Sequence, residues 1–307
     1  MAWDALLEQS RKVPLDVLLL VFVQRYAPYM VLGMRLSVLI PSVSMGQGFK
    51  ASVLCVACNT LIPARMGELL KIFWLQGIST LKASFILSSI VVERLLDVSA
   101  LLCLSLYFAL SHLSSVVIVL LSIVVVTAWV SLWFVITYES RVVAWMRRYM
   151  GQHGWAQRVI ALCSLLCHAI RQVLQARVLC KSVLLTIFMW SMNYLHVYLL
   201  CNVLMELHLT WAQTGLICVA LFFSSALLLA PGGVGAMETA LVVSLELMGV
   251  NTMQAMSTAL FARIFYSVPP LLGALGILFV DNKGLTASVR NLYGGVQYMY
   301  PTVRNKH

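Results

Sequence analysis

Long apolar runs separated by short polar segments dominate the chain. Such runs occupy about Leu15–Ile40, Lys82–Ser111, Ser115–Thr137, Leu184–Met205 and Thr252–Val280. At 1.5 Å per residue, a helix of about 20 residues crosses a hydrocarbon core of ~30 Å. The pattern therefore predicts membrane-spanning helices.

Two further apolar segments are interrupted by residues that break helices. The interruptions in residues 47–76 are Asn59, Pro63 and Gly67, and those in residues 211–248 are Pro231, Gly232, Gly233 and Gly235. An unpaired backbone group in hydrocarbon costs several kcal/mol, so a broken helix persists only inside protein or beside a watery cavity. We therefore predict two re-entrant hairpins, each made of two half-helices, and a cavity beside them.

The two breaks resemble each other. Each is followed by a glutamate and then by an arginine, Glu68 and Arg94 in the first half and Glu238 and Arg263 in the second, at separations of 26 and 25 residues. Interrupted segments at corresponding places in two halves indicate a transporter-type site formed by an inverted repeat. The repeat is degenerate, and chance similarity is the alternative.

Composition agrees with a membrane protein. Hydrophobic residues make up 61% of the chain, charged residues 10%, and the mean hydropathy is +0.92, whereas globular proteins average about 25% charged residues. We predict an all-α polytopic protein with about six full spans and two re-entrant hairpins. The predicted transmembrane domain has these parts: N-terminal segment 1–14, first repeat 15–111, extra span 115–137, basic loop 139–181, second repeat 184–280 and basic tail 281–307.

Basic residues set the predicted orientation. Residues 139–181 contain many arginines and a single acid, Glu139, and such an excess of cations marks the cytoplasmic side. This orientation places the C-terminus inside and the N-terminus outside a plasma (inner) membrane. The net charge of +10 is then a matter of topology and gives no case for nucleic-acid binding.

Charged residues also occur inside predicted spans. Glu93, Arg94 and Asp97 lie within one apolar run, and a charge at mid-membrane costs about 2.5 to 3.5 kcal/mol, so they need partners or water. Arg25 lies near the middle of the first span. Arg35 lies near its end, where we expect it to extend to the headgroups.

The motifs Asn59-Thr-Leu-Ile-Pro-Ala-Arg-Met-Gly-Glu68, Val92-Glu-Arg-Leu-Leu-Asp97 and Pro231-Gly-Gly-Val-Gly-Ala-Met-Glu238, followed by Arg263, resemble the lysylphosphatidylglycerol synthase transmembrane-region family. The resemblance extends over roughly Met34 to Val280. It implies a flippase-like membrane protein. Residues 281–307 are too few for the soluble aminoacyl-transferase domain of the bifunctional relatives, so we expect the lipid-handling half without the synthase.

The resemblance leaves three function classes open. The first is translocation of a phospholipid or a polyprenyl- or glycolipid headgroup. The second is a non-catalytic subunit or scaffold for a cell-envelope or glycolipid biosynthesis enzyme, and the third is a membrane-embedded transferase using Glu93 and Asp97 as its carboxylate pair. We favour the first, expect membrane lipids as partners, and expect neither an enzyme nor a cofactor.

The predicted translocation site combines the two hairpins with the charged span. Half-helix N-termini after Pro63 and Pro231 would favour a phosphate, and the carboxylates would accept a cationic group, carry a proton or neutralise the arginines. We predict that Arg94 and Arg263 each pair with a hairpin carboxylate; such pairs would gate transport or only hold the fold. The candidate residues are Asn59, Pro63, Arg65, Gly67, Glu68, Glu93, Arg94, Asp97, Pro231, Gly232, Gly233, Gly235, Glu238 and Arg263.

Other candidate chemistry is weak. Cys55 and Cys58 form a Cys-x-x-Cys in an apolar helix without a second cysteine pair at metal-site spacing, so we interpret them as packing residues. We interpret His196, beside Asn193, as a hydrogen-bonded contact between helices.

Overall fold

The computed structural model describes residues 14–62, 65–79, 81, 83–109, parts of 123–171, 175–226 and 234–280. All regular structure in these residues is helical. The helices are α1 Leu15–Gln24, α2 Tyr26–Leu39, α3 Met45–Leu61, α4 Gly67–Ile78, α5 Ala83–Ala109, α6 Glu139–Tyr149, α7 Ala176–Tyr198, α8 Trp211–Ala226, α9 Ala236–Leu247 and α10 Thr252–Val280. The predicted extra span 115–137 lies largely outside the described residues, as does the tail 281–307.

Three helical stretches in the described part of the chain are long and apolar enough to cross a membrane: Leu15–Leu39, Ala176–Leu204 and Thr252–Val280. Helix α5 is also 27 residues long, or about 40 Å, but it carries three charged residues. The all-helical membrane class is therefore confirmed. The total of six spans and the re-entrant path of the hairpins stay predictions.

The first break follows from local sequence. Helix α3 begins with a capping box, in which Ser44 Oγ accepts from the Gln47 N–H at 3.3 Å and Gln47 Oε1 accepts from the Ser44 N–H at 2.9 Å. The helix ends at Leu61, and the next residue, Ile62, has an extended backbone with φ −117° and ψ 136°. The residue before a proline avoids helical angles because the proline ring clashes with it. Pro63 itself lies outside the described residues.

The helix that follows the second break, α9, begins directly after a glycine. Gly235 precedes α9 with a φ of +88°, a conformation that glycine adopts without steric cost. Helix α8 is described as far as Ala226, and α9 packs against it. Pro231, Gly232 and Gly233 lie outside the described residues.

Glycines bring α2 and α3 into backbone contact. A Cβ placed on Gly48 would lie 2.5 Å from the carbonyl oxygen of Gly33, and one on Gly33 would lie 2.5 Å from the Phe49 nitrogen. Small residues at such crossings let membrane helices pack closely where the hydrophobic effect no longer drives association.

Helix α10 joins the two halves of the chain. It packs against α3 from the first half and α9 from the second. Its N-terminal part contributes Phe261 and Phe265 to one hydrophobic cluster, and its C-terminal part contributes Ala274 to another. The segments around the two breaks are therefore held against a shared helix.

The basic segment 139–181 contains helical structure. The segment begins with α6, and its last residues, from Ala176 onward, belong to α7. Helix α7 therefore begins earlier than the predicted span, which was expected to start at Leu184. Helix α7 continues into a π-helical turn at Leu199–Leu204. Its outer side exposes large apolar residues such as Leu184, Ile187 and Phe188, as expected for a surface that faces lipid.

Candidate functional site

Asn59 shapes the first break. Its side-chain oxygen accepts from the backbone N–H of Gly67 at 2.8 Å, and this N–H belongs to the first turn of α4, where no helical partner exists. A Cβ on Gly67 would collide with the carbonyl oxygen of Cys55 and the Asn59 side chain. Arg65, between them, has a φ of +54°. The start of α4 is thus held directly against α3.

Glu238 has the corresponding role at the second break. One carboxylate oxygen accepts from the backbone N–H of Gly235 at 2.9 Å, and the other pairs with Arg263 on α10. Glu238 therefore caps α9 and ties the start of this helix to α10.

A buried ion cluster connects α2, α4 and α5. Glu93 is fully buried and accepts from Lys71 Nζ at 2.6 Å and from Arg35 at 3.3 Å. Arg35 also bonds both oxygens of Asp97, at 2.6 and 3.2 Å, and donates to Thr186 on α7 at 2.9 Å. The cations that pair with the carboxylates of α5 in this cluster thus come from two other helices, Arg35 from α2 and Lys71 from α4.

Arg94 extends this cluster to the first break. Its guanidinium lies 3.3 Å from Glu68 and 3.3 Å from Asp97. The predicted ion pairs of Arg94 and Arg263 with hairpin carboxylates, Glu68 and Glu238, are therefore both confirmed.

The prediction for Arg35 is wrong. Its side chain is 1% exposed and contacts Glu93 and Asp97, because α5 and α7 lie beside it and supply acceptors within hydrogen-bond distance. Lys71 was not predicted at all. A signal for it was present, since Glu93, Arg94 and Asp97 leave an acid in excess and Lys71 is a lone cation in an apolar helix.

Arg25, the residue between α1 and α2, is surrounded by a second set of polar and aromatic contacts. Arg25 donates to Asn193 Oδ1 at 3.0 Å, and its guanidinium lies 4.3 Å from the ring centre of Tyr266 and 5.2 Å from that of Tyr29. Such cation–π contacts stabilise a desolvated cation.

The interpretation of His196 is confirmed. Its Nδ1 lies 2.8 Å from Gln24 Oε1. Gln24 uses its amide nitrogen to donate to the carbonyl of Met192 at 2.9 Å, so its oxygen faces His196 and accepts from Nδ1. The imidazole thus joins α1 to α7.

Residues from both halves line one cavity of about 270 Å³. Six of the predicted site residues contribute to its wall: Asn59, Arg65, Glu68, Arg94, Asp97 and Arg263. Glu93 belongs to the ion cluster together with Asp97, and Glu238 contacts the cavity-lining residue Arg263. Apolar and aromatic side chains, among them Met237 and Trp190, complete the lining.

A second cavity lies beside the first. It has a volume of about 570 Å³ and is lined mainly by apolar and aromatic residues of α5, α7 and the start of α8. Trp190 contributes to both cavities.

The family model for the lysylphosphatidylglycerol synthase TM region matches residues 1–274. The chain therefore belongs to this family of integral membrane proteins, whose name links it to lipid. The match extends to residues before Met34, where the resemblance in the motifs begins. Among the curated proteins and among the solved structures, nothing matches.

Proposed function

We propose that the protein moves the headgroup of a phospholipid, or of a polyprenyl- or glycolipid, across the membrane through the cavity between its two interrupted helices. The observation that carries this proposal is the cavity lining, to which Asn59, Arg65 and Glu68 contribute from the first break and Met237 and Arg263 from the second half. A headgroup crossing hydrocarbon needs polar partners along its path, and this cavity offers them from both halves.

The ion pairs differ in exposure, and we assign the buried ones to stability and the partly exposed ones to headgroup binding. The side chains of Lys71, Glu93 and Arg35 are at most 2% exposed, so these three hold α2, α4 and α5 together. In contrast, the side chains of Arg94 and Glu68 are 40% and 21% exposed, and those of Arg263 and Glu238 are 22% and 26% exposed. The partly exposed pairs can exchange one partner for a headgroup. The buried cluster cannot exchange a partner without exposing a charge to hydrocarbon.

In this proposal the two hairpins are re-entrant and open to opposite leaflets. The basic segment 139–181 and the C-terminus face the cytoplasm, and the membrane is the plasma (inner) membrane. An inverted repeat with opposite openings supports alternating access around a fixed central site. The proposal assigns no catalytic role.

The same contacts weigh against a transferase. Glu93 is fully buried between two cations, and Asp97 accepts from both Arg35 and Arg94. A general acid or base must reach the proton that it transfers, but here Glu93 is buried and Asp97 is held by two guanidinium groups.

The test is headgroup translocation in proteoliposomes. Fluorescent anionic, aminoacylated and polyprenyl lipids are placed in both leaflets, and the fraction protected from an impermeant quencher is followed with time. The wild type is compared with Glu68→Gln, Glu238→Gln and Arg263→Ala. Glu246→Gln is the matched control, because Glu246 is exposed on α9 and its side chain bonds Thr252, outside the cavity lining.

We expect protein-dependent movement of at least one lipid class, reduced about tenfold or more in the three site variants and unchanged in the control. Thermal stability is measured for each variant to separate loss of transport from loss of fold. If the folded wild type moves none of these lipids, the scaffold function becomes the better proposal, and a partner enzyme should then co-purify with the protein.

A further inference from the structure

We propose that Arg25 is the centre of an anion-binding subsite that takes the phosphate oxygens of a lipid headgroup, separate from the ion pairs at the two breaks. The site consists of Arg25 with the side chains of Tyr266 and Trp190, all of which line the central cavity. Only the lipid source of the phosphate rests on the proposed function; the preference for an anion rests on the site itself.

Arg25 carries a buried positive charge. This residue is 6% exposed, and in the part of the chain that the structure describes it forms no salt bridge; its contacts are Asn193 and two tyrosine rings. By comparison, Arg35, Arg94 and Arg263 each pair with at least one carboxylate. A buried cation without a counter-ion is costly in a membrane, and an anionic ligand would supply the missing charge.

A set of hydrogen-bond donors lacks acceptors among the described residues. Arg25 Nε, Trp190 Nε1 and the Tyr266 hydroxyl are all buried and have no hydrogen-bond partner among the described residues. Trp190 and Tyr266 are 5% and 8% exposed. Buried polar groups are normally hydrogen-bonded, and a cation with an unpartnered N–H, together with two further unpartnered donors on the same cavity, matches the acceptor-rich oxygens of a phosphate.

Aromatic contacts hold these donors in one place. The rings of Trp190 and Phe222 meet edge to face at 4.7 Å, and that of Phe222 lies 6.4 Å from Tyr266. Tyr266 in turn lies under the Arg25 guanidinium at 4.3 Å. The donors are therefore fixed before a ligand arrives, which lowers the entropy lost on binding.

The balance of charge also favours an anion. Counting the residues described around the cavity and its ion cluster, there are six cations, Arg25, Arg35, Arg65, Lys71, Arg94 and Arg263, and four carboxylates, Glu68, Glu93, Asp97 and Glu238. The described residues thus leave an excess of positive charge around this cavity. One phosphodiester would reduce it.

The experiment measures the thermal stability of the full-length protein in detergent while one probe at a time is titrated. The probes are dioleoylphosphatidylglycerol, dioleoylglycerol, which has the same acyl chains without phosphate, and inorganic phosphate. The variants are Arg25→Gln, Tyr266→Phe and Trp190→Phe. Tyr149→Phe is the control, since Tyr149 is exposed on α6.

We expect phosphatidylglycerol to raise the melting temperature of the wild type and of Tyr149→Phe, and dioleoylglycerol to have no such effect. Arg25→Gln should abolish the response. Tyr266→Phe removes one unpartnered donor and keeps the ring, so it should fold at least as stably as the wild type without lipid. Trp190→Phe also removes one unpartnered donor but replaces the indole with a smaller ring, so its lipid response is compared with its own melting temperature without lipid. Each variant should need about tenfold more phosphatidylglycerol for the same shift.

Two results would overturn the subsite: equal stabilisation by dioleoylglycerol and phosphatidylglycerol, or unchanged titrations in Tyr266→Phe and Trp190→Phe. A response to inorganic phosphate but not to phosphatidylglycerol would keep the anion site and overturn the lipid as its source. Translocation by a wild-type protein that shows no Arg25-dependent response to phosphatidylglycerol would refute the subsite alone, whereas an Arg25-dependent response without translocation would refute the proposed function alone.

Discussion

Breaking the pair between Lys71 and Glu93 should destabilise the protein more than removing both charges together. Lys71 Nζ lies 2.6 Å from Glu93 Oε2, and the two side chains are 2% and 0% exposed. The variants are Lys71→Met, Glu93→Gln and the double variant. The double variant leaves the two hydrogen bonds from Arg35 to Asp97 in place.

The expected magnitude follows from what each change leaves behind. Removing one member of a buried ion pair costs about 3 to 5 kcal/mol, because the other charge stays buried. Lys71→Met should cost about 3 kcal/mol, at the lower end of that range, since Glu93 keeps Arg35 at 3.3 Å. Glu93→Gln should cost about 4 to 5 kcal/mol, because the ammonium of Lys71 then faces only a neutral amide.

The double variant buries no unpaired charge at these two positions. A buried ion pair and a neutral replacement of similar size are often close in stability. We therefore expect the double variant to be more stable than either single variant, with a coupling free energy of at least about 2 kcal/mol. Lys181→Met, which removes an exposed lysine from α7, should change stability by less than about 0.5 kcal/mol.

The assay is reversible unfolding in mixed micelles with increasing mole fractions of a denaturing detergent, followed by circular dichroism and by tryptophan fluorescence. Coincident transitions with the two probes would justify a two-state free energy. If the two single changes were additive, or if each cost less than about 1 kcal/mol, the Lys71–Glu93 contact would not be the buried ion pair argued for above.

Two further variants test the packing and the first break. Gly48→Ala should cost about 1 to 3 kcal/mol in thermal or detergent unfolding, because its Cβ would lie 2.5 Å from the Gly33 carbonyl oxygen, an overpacked contact. Gly46→Ala in the same helix, with nothing within 4 Å of the added Cβ, should be neutral or stabilising, and equal losses in both would contradict the contact. Asn59→Leu removes the acceptor of the Gly67 N–H and should speed hydrogen exchange at the start of α4 about tenfold; similar exchange in the wild type would contradict this role.

The ion pairs at the breaks could be predicted because the membrane restricts where charges go. Glu68 and Glu238 follow helix breaks, and each is followed about 25 residues later by an arginine in a predicted membrane span. A charge inside such a span needs a partner, and in each half the glutamate that follows the helix break is a partner of the arginine.

The buried cluster could not be predicted in the same way. Arg35 lies near the end of its predicted span, and an arginine at that position can often extend to the interface. Whether it does so depends on the neighbouring helices, and here α5 and α7 supply three acceptor side chains, Glu93, Asp97 and Thr186. Sequence periodicity describes one helix at a time, so the partners of Arg35 and Lys71 required the packed structure.

The donors around Arg25 were beyond sequence analysis for a related reason. Tyr266 and Trp190 look like ordinary aromatic residues of apolar helices, and an indole N–H or a phenol normally finds an acceptor when buried. Only the structure indicates that neither has an acceptor among the described residues, that Tyr266 contacts Arg25 and that Trp190 lines the same cavity.

The most direct test of the central claim is to identify the residues that a lipid with a photoreactive headgroup labels in the native membrane. The account predicts labelling of residues that line the central cavity from both halves, Thr60 beside the first break and Met237 beside the second, and competition by the unlabelled lipid. Leu184, exposed on the outer side of α7, should remain unlabelled. Labelling confined to exposed positions such as Leu184, with none at Thr60 or Met237, would contradict a headgroup path through this cavity.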